Sequence, residues 1–302
     1  MITVSDVSLS FGGQMLFKDV NLLFTAGNCY GVIGANGAGK STFLKILCGA
    51  LEPTTGTVTV QEGLRMSVLK QDHYAYDEYT VQDTVIMGNP RLYEVMKQKD
   101  ALYAKEDFTE EDGNLASELE GEFAELGGWE AESDASKLVQ GLGLDESIMY
   151  AQMSSLAGNE KVKVLLAQAL FGNPDIILMD EPTNGLDIPS KSQFRKVVAN
   201  NMSDDRTMII STHQVHDVES LLDHIMILDH SELLLNESVA DIRSKYSFEF
   251  RSMGEPANDV IYAEPSLQGN AVITRRREDE DETQLNLELL FNAVTKKLLP
   301  RE

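Results

Sequence analysis

The chain has 302 residues, of which 25 are basic and 49 acidic, so its formal net charge is −24. A charge of this size repels phosphate backbones at long range, which argues against direct binding of DNA by the broad surface. The absence of a run of about 18 apolar residues and of a secretion-type N-terminus predicts a cytoplasmic protein of about two domains. The two cysteines lack metal-ligand spacing and are predicted to be small core residues.

The N-terminal residues 2–24 alternate apolar and polar side chains on either side of a Phe11-Gly12-Gly13 turn. This alternation predicts two antiparallel strands. The flat ring of Phe11 is a candidate platform for an adenine base, with a core or turn aromatic as the alternative.

Residues 34–42 read Gly-Ala-Asn-Gly-Ala-Gly-Lys-Ser-Thr, which is a glycine, four free positions and then Gly-Lys-Ser. A β-prone run precedes the loop and a helical spacing follows it, so the loop joins a strand to a helix. Backbone N–H groups of such a loop surround a β-phosphate, Lys40 reaches toward the β- and γ-phosphates, and Ser41 offers a hydroxyl to Mg²⁺. The alternative is a plain glycine-rich turn. The candidate nucleotide-binding residues here are Gly34, Asn36, Gly37, Ala38, Gly39, Lys40, Ser41 and Thr42.

The next segment contains two predicted strands, at residues 57–60 and 65–69, and the second ends beside Gln71, a candidate ligand-facing residue. From Asp72 to Asp134 there are 18 acidic and four basic residues in segments with helical spacing. We expect a helical insertion over about residues 79–155 with an acidic face, whose charge is interpreted as solvation of that face.

Two buried strands are predicted to end in polar residues. Residues 175–181 are an apolar run that finishes with Asp180 and Glu181. Unpaired buried acids cost several kcal/mol, so a cation held by Asp180 and a water oriented or deprotonated by Glu181 would explain both carboxylates. The second strand ends at His213, a candidate γ-phosphate contact because open parallel sheets bind ligands at that end; a core histidine is the alternative.

The pattern weakens after Ser247. A hairpin and a short helix are predicted before it, and an amphipathic helix near residues 285–294 after it. We therefore expect one large domain over residues 1–247 and a small, partly mobile appendage over residues 248–302.

Taken in order, the loop at 34–42, Gln71, Leu156–Glu160, Asp180-Glu181, residues 182–187 and His213 resemble the motifs of the ATP-binding cassette (ABC) family over nearly the whole chain. The resemblance implies an α/β P-loop cassette with a mixed sheet core, an antiparallel β subdomain and a helical subdomain. It also implies an ATPase that works with a second cassette, as a homodimer or heterodimer. Each MgATP would then lie between the phosphate loop of one cassette and the signature segment of the other.

Individual roles follow from the same resemblance. Glu181, His213 and Gln71 would be catalytic, and Ser41, Gln71 and Asp180 would hold Mg²⁺. The signature residues Ala157, Gly158 and Asn159 would contact the nucleotide across the dimer. Ala157 lacks the hydroxyl usual at that position, and Asn159 adds a side chain where a glycine is usual, so we expect a weakened ATP sandwich.

The chain resembles two branches of the family. Residues 1 to about 184 look like the first cassette of a soluble ABC-F protein, a class that acts on ribosomes, whereas the remainder looks like the ATPase subunit of an ABC exporter. The preferred hypothesis is a transporter ATPase bound to a membrane permease at the inner face of the cell membrane. A ribosome-associated ATPase and a weakly active nucleotide-binding module are the alternatives. A recombined chain is a further hypothesis.

Overall fold

The computed structural model describes residues 1–69, 72–229, 231–252, 254–255, 258–267, 269–277 and 279–299. In chain order, its N-terminal elements are β1 (Ile2–Phe11), β2 (Gln14–Phe24), β3 (Asn28–Ile33), α1 (Lys40–Leu47), β4 (Thr55–Val60), β5 (Met66–Val68), α2 (Val81–Ile86), α3 (Pro90–Tyr103), α4 (Glu110–Glu125) and α5 (Ala131–Gly141). The elements that follow are α6 (Gly158–Leu170), β6 (Ile176–Asp180), α7 (Ile188–Asn200), β7 (Thr207–Thr212), β8 (His224–Asp229), β9 (Glu232–Ser238), α8 (Val239–Lys245), β10 (Tyr246–Ser252), β11 (Val260–Ser266), β12 (Gly269–Arg275) and α9 (Leu287–Thr295).

The chain divides into two compact units. The first comprises Met1–Leu64, Leu178–Pro182 and Met202–Glu302, and the second comprises Arg65–Ile177 and Thr183–Asn201. No helix within the described part of the chain is long and apolar enough to cross a membrane.

The first unit contains a mixed sheet and a separate antiparallel sheet. In the mixed sheet β3 lies between β7 and β8 and runs parallel to both, while β9 is antiparallel to β8. Strand β7 is buried along its whole length, as expected for a strand covered on both faces. Because β3, β7 and β8 run in the same direction, their carboxyl ends share one edge. The antiparallel sheet has the order β2-β1-β4, and its β1–β2 hairpin lies where the alternation predicts it.

The second unit is built mainly from helices α2–α7. Three of its helices begin at side-chain caps that the sequence supplies, since Thr80, Asn89 and Thr109 accept bonds from backbone N–H groups in the first turns of α2, α3 and α4. Helix α6 is buried at every position from Lys161 to Leu170, so it forms the centre of this unit. The mixed sheet, the antiparallel sheet and these helices confirm the expected α/β cassette.

The C-terminal part of the first unit contains a three-stranded antiparallel sheet with the order β10-β12-β11. Helix α9 packs on β11 and β12 and lies where the sequence predicts a helix. The sheet itself was not predicted. Its strands lack a clean alternation, because residues 246–248 are all buried in β10 and a proline occurs at position 265 in β11.

Candidate functional site

The loop between β3 and α1 has a backbone path that depends on glycine. A Cβ atom on Gly34 would lie 2.4 Å from the carbonyl oxygen of Leu228, which leaves no room for a side chain. Gly37 and Gly39 have φ angles of 84° and 96°, in the left-handed region that side chains disfavour. The loop is therefore a tight backbone cradle that ends at Gly39, directly before the first turn of α1.

Lys40 folds back over this loop from the start of α1. Its Nζ donates to the carbonyl oxygens of Gly34 at 3.0 Å and Ala35 at 3.2 Å, and lies 3.5 Å from Oε1 of Glu181. The lysine side chain is only 5% exposed. A buried ammonium beside the N-terminus of a helix concentrates positive potential at the loop, which is the electrostatic requirement for binding a phosphate.

Glu181 follows β6 directly and has an unusual backbone. Its φ is 49°, a left-handed conformation that costs a non-glycine residue about 1–2 kcal/mol. Its backbone N–H donates to the carbonyl oxygen of Ser211 at 2.9 Å, which ties this turn to the end of β7. Strained residues of this kind concentrate at active sites, where the surrounding contacts hold them in place.

The carboxylate of Glu181 is held by several groups at the end of β7. It accepts hydrogen bonds from the Thr212 hydroxyl at 3.0 Å and from the His213 backbone N–H at 3.2 Å, and its Oε1 lies 2.8 Å from Nδ1 of His213. The side chain is 16% exposed, compared with 35% for His213. The glutamate is therefore oriented by protein on one side while part of it still faces solvent.

Asp180, at the last position of β6, is half-buried and accepts a hydrogen bond from the Ser211 hydroxyl. The structure thus brings together four predicted residues, Lys40, Asp180, Glu181 and His213. Sequence reasoning missed Ser211 and Thr212, although two hydroxyl residues just before the histidine at the end of a buried strand were a usable signal.

The other predicted positions of the first unit lie at the surface. Asn36 and Ser41 are exposed and Thr42 is half-buried, at the loop and in the first turn of α1. Phe11 is 52% exposed at the β1–β2 turn. Gln71 lies outside the described residues.

The predicted signature segment belongs to the second unit, where α6 begins at Gly158 with Ala157 as its N-cap. Ala157, Gly158 and Asn159 are all exposed. The Glu160 carboxylate accepts the Ala157 N–H at 2.9 Å, but Ala157 has no side-chain acceptor for the first turn. This exposed helix start therefore carries the partial positive charge of a helix N-terminus without a capping side chain at Ala157.

A glycine cradle joins a strand to a helix that starts with a buried lysine, and two carboxylates lie beside it at the end of β6. This arrangement defines a P-loop nucleotide-binding protein. The family model described as "ABC transporter" matches residues 17–184, which is more than half of the chain. The chain belongs to the ABC transporter family, as an ATP-binding cassette.

Two curated relatives have high identity. The chain is 54% identical over 233 residues to the "Uncharacterized ABC transporter ATP-binding protein YkpA" of Bacillus subtilis (strain 168), covering 77% of this chain and 43% of that protein. It is 45% identical over 233 residues to the "Probable ATP-binding protein YbiT" of Escherichia coli O157:H7, with the same shares of 77% and 43%. The chain therefore spans less than half of the length of these relatives.

Among solved structures, one with similar architecture is titled "Dimeric structure of a post-hydrolysis state of the ATP-binding cassette MJ0796 bound to ADP and Pi". The two share 21% identity with a TM-score of 0.59, over 79% of this chain and 99% of that one. At this identity the likeness establishes the fold alone.

The B. subtilis match also bears on the hypothesis of a recombined chain. A match of 233 residues within 302 must include residues 70–233, wherever it starts. One relative thus covers both sides of residue 184 continuously. This continuity argues against recombination at that point.

Proposed function

We propose that this chain binds ATP with Mg²⁺ and hydrolyses it to ADP and phosphate, working as one cassette of a head-to-tail pair. The observation that carries the proposal is the convergence of Lys40, Glu181 and His213 at the glycine loop, with contacts of 2.8 to 3.5 Å. A buried cation that binds phosphate and a fixed carboxylate that accepts a proton are the two groups that hydrolysis of a nucleoside triphosphate requires.

Binding uses the loop backbone and Lys40. The cradle of residues 34–39 offers N–H groups to the β-phosphate, and Lys40 exchanges its bonds to the loop carbonyl oxygens for bonds to the β- and γ-phosphates. Bonds between an ammonium and a phosphate are charge-assisted and stronger than bonds to neutral carbonyls. The resting contacts of Lys40 therefore keep it in place without competing strongly with the nucleotide.

The residues present fit a magnesium ion that is shared with the nucleotide. Within the described ranges no group of three or more histidine, cysteine or acidic side chains could hold a metal alone. The Ser41 hydroxyl and the Asp180 carboxylate are hard oxygen donors of the kind that Mg²⁺ prefers, and phosphate oxygens and water complete such a shell. When bound, the ion would neutralise part of the negative charge on the phosphate oxygens.

Glu181 is the proposed general base. Its carboxylate takes a proton from a water molecule as the water oxygen bonds to the γ-phosphorus and the bond from that phosphorus to the β,γ-bridging oxygen breaks. Thr212 and His213 hold the carboxylate in one orientation, which limits the cost of arranging it during the reaction. The His213 ring lies against this carboxylate and is partly exposed, and its proposed role is to contact the γ-phosphate.

The second half of the nucleotide site comes from the partner cassette. The exposed start of α6 carries the partial positive charge of a helix N-terminus, which suits a γ-phosphate held across the pair. Ala157 contributes no hydroxyl and Asn159 adds bulk, so we propose a pair that forms weakly. An unaltered phosphate loop with a weak pair would give ATP binding with slow turnover.

We propose that this ATPase supplies energy to an ABC-type transporter. The chain would bind a permease subunit at the inner face of the membrane. Support comes from the names of relatives, including the "ABC transporter ATP-binding protein NatA" of B. subtilis (strain 168), which is 29% identical over 78% of this chain and 88% of that protein. The strongly negative net charge is consistent with a protein partner rather than DNA.

Ribosome-associated action is the second candidate. It is favoured by 32% identity over 197 residues to the "ABC transporter F family member 4" of Arabidopsis thaliana, which covers 62% of this chain and 26% of that protein. The chain is also 54% and 45% identical to two relatives, and each match covers only 43% of the relative. Relatives of that length have room for a second cassette, which also favours ribosome-associated action.

Two measurements test the proposal. ATP turnover per chain should rise with chain concentration if two cassettes form the site, and turnover that does not depend on concentration would contradict the pair. Affinity purification from native cells, with and without non-hydrolysable ATP, should recover integral membrane subunits. Recovery of ribosomal subunits instead would replace the transporter by the second candidate.

A further inference from the structure

The segment that follows His213 is attached to the C-terminal helix α9. Nε2 of His216 lies 2.7 Å from Oε2 of Glu288, in the first turn of α9. One turn further on, Oε1 of Glu219 accepts the backbone N–H of Leu287 at 3.2 Å. Two contacts therefore join the 214–219 segment to the start of α9.

Apolar packing supports these polar contacts. Val218 and Leu287 are fully buried, and Val215 is buried on the same short helical turn as His216. The Glu219 side chain is half-buried at this contact, and burial raises the pKa of its carboxyl. The start of α9 is thus held against the segment by a small core as well as by hydrogen bonds.

The same segment is attached to the catalytic cluster at its other end. The backbone N–H of Gln214 donates to the Thr212 hydroxyl at 2.9 Å, and the N–H of Asp217 donates to the carbonyl oxygen of Gln214 at 3.1 Å. Only two residues separate His213 from His216. A displacement of His216 must therefore be absorbed within a turn whose first residue contacts Glu181.

We propose that Glu288 is a positioning residue for hydrolysis: it holds His216, and through the 213–216 turn it holds His213 against Glu181. The C-terminal sheet and α9 would then set the geometry of the catalytic carboxylate from outside the nucleotide site. In this proposal Glu288 acts on orientation through His216, and it is assigned no contact with the nucleotide or the attacking water. This inference rests on the proposed ATPase activity.

Four variants distinguish the effect of the Glu288–His216 contact from the effect of a negative charge that stabilises the start of α9. Glu288→Ala removes the contact and the negative charge at the start of α9. Glu288→Asp keeps that charge, which favours a helix N-terminus, but is one methylene too short to reach His216. Glu288→Gln keeps an acceptor oxygen at the same reach. Asp281→Ala removes an exposed carboxylate of the same appendage and is the matched control.

We expect kcat to fall about threefold to tenfold in Glu288→Ala and Glu288→Asp, with KM for ATP changed less than about twofold, since orientation rather than binding is lost. Glu288→Gln and Asp281→Ala should match the parent. His216→Ala should lower kcat similarly, and its combination with Glu288→Ala should add no further loss. A parental kcat in Glu288→Asp would overturn the proposal.

A measurement without turnover separates this inference from the proposed function. Hydrogen exchange of the backbone amides at residues 213–218 should speed up in Glu288→Ala and Glu288→Asp relative to Glu288→Gln, because the turn opens more often. Equal exchange in all variants would overturn the attachment. If the parent chain hydrolyses no ATP, the proposed activity fails, while the exchange result still decides whether α9 holds the turn.

Discussion

Replacing Ala157 by serine should stabilise the second unit, because half of a helix cap is already in place. Ala157 has the extended backbone of an N-cap, with φ −68° and ψ 157°, and the Glu160 carboxylate already accepts its N–H at 2.9 Å. A serine hydroxyl would accept the N–H of Glu160 in return. The pair would then form a complete capping box, which the parent chain lacks.

The size of the effect follows from N-cap exchanges in other helices. Serine in place of alanine at an N-cap is worth about 0.5–2 kcal/mol, and a domain of this size gains about 2–4 °C in Tm per kcal/mol. Calorimetry of the parent and Ala157→Ser should therefore show a rise of a few degrees. Ala157→Cys has a side chain of similar size but a weak acceptor and should show little change. A Tm for Ala157→Ser equal to that of Ala157→Cys would refute the capping argument.

The same hydroxyl should strengthen the proposed pair. A charge-assisted hydrogen bond is worth about 1.5–3 kcal/mol in a protected site, and a pair contains two sites, so partial recovery should shift the dimer affinity by about one to two decades. Sedimentation velocity with MgATP in a Glu181→Gln background should show more dimer for Ala157→Ser combined with Asn159→Gly. The control is Asn159→Gly alone, which removes the asparagine side chain without adding the hydroxyl at residue 157. Equal dimer fractions across a wide concentration range would refute the weakened-sandwich interpretation.

Three other outcomes concern the phosphate loop and a helix of the second unit. Lys40→Ala should lower ATP affinity at least about tenfold, because it removes a charge-assisted contact. Lys45 is exposed on the same helix, and Lys45→Ala should leave the affinity unchanged. Binding of a fluorescent ATP analogue measures both variants, and parental affinity in Lys40→Ala would exclude this lysine from the site. Gly34→Ala should destabilise the first unit by about 1–3 kcal/mol in urea unfolding, because its Cβ would meet a backbone oxygen at 2.4 Å. Gly121→Ala, inside α4 with nothing within 4 Å of the new Cβ, should instead stabilise by up to about 1 kcal/mol, and a loss of stability there would contradict the helical assignment.

Local pattern was sufficient to predict the elements around the phosphate loop. The loop, its flanking strand and helix, and the polar ends of β6 and β7 are each set by residues close in sequence, so their spacing and periodicity can be read directly. The grouping of Lys40 and Glu181 in one site was implied by the resemblance to the ABC family, whose motifs these residues match.

Other features depend on contacts between distant residues and left little local signal. Glu181 has a left-handed backbone and donates its N–H to Ser211, which is 30 residues away in sequence. The hydroxyl contacts of Ser211 and Thr212 likewise exist only once β6 and β7 are adjacent. The C-terminal sheet was missed because its buried positions do not alternate. The role inferred for Glu288 arises from a contact with His216, 72 residues away in sequence.

The central claim is that Glu181 activates water at a nucleotide bound by this loop. Rapid-quench measurement of phosphate release by the parent and by Glu181→Gln at saturating MgATP, with ATP binding measured on the same samples, tests it most directly. Glutamine has the same shape but is not a base, so we predict unchanged or tighter ATP binding and hydrolysis slower by about 10²-fold or more. Hydrolysis by Glu181→Gln at the parental rate would contradict the account.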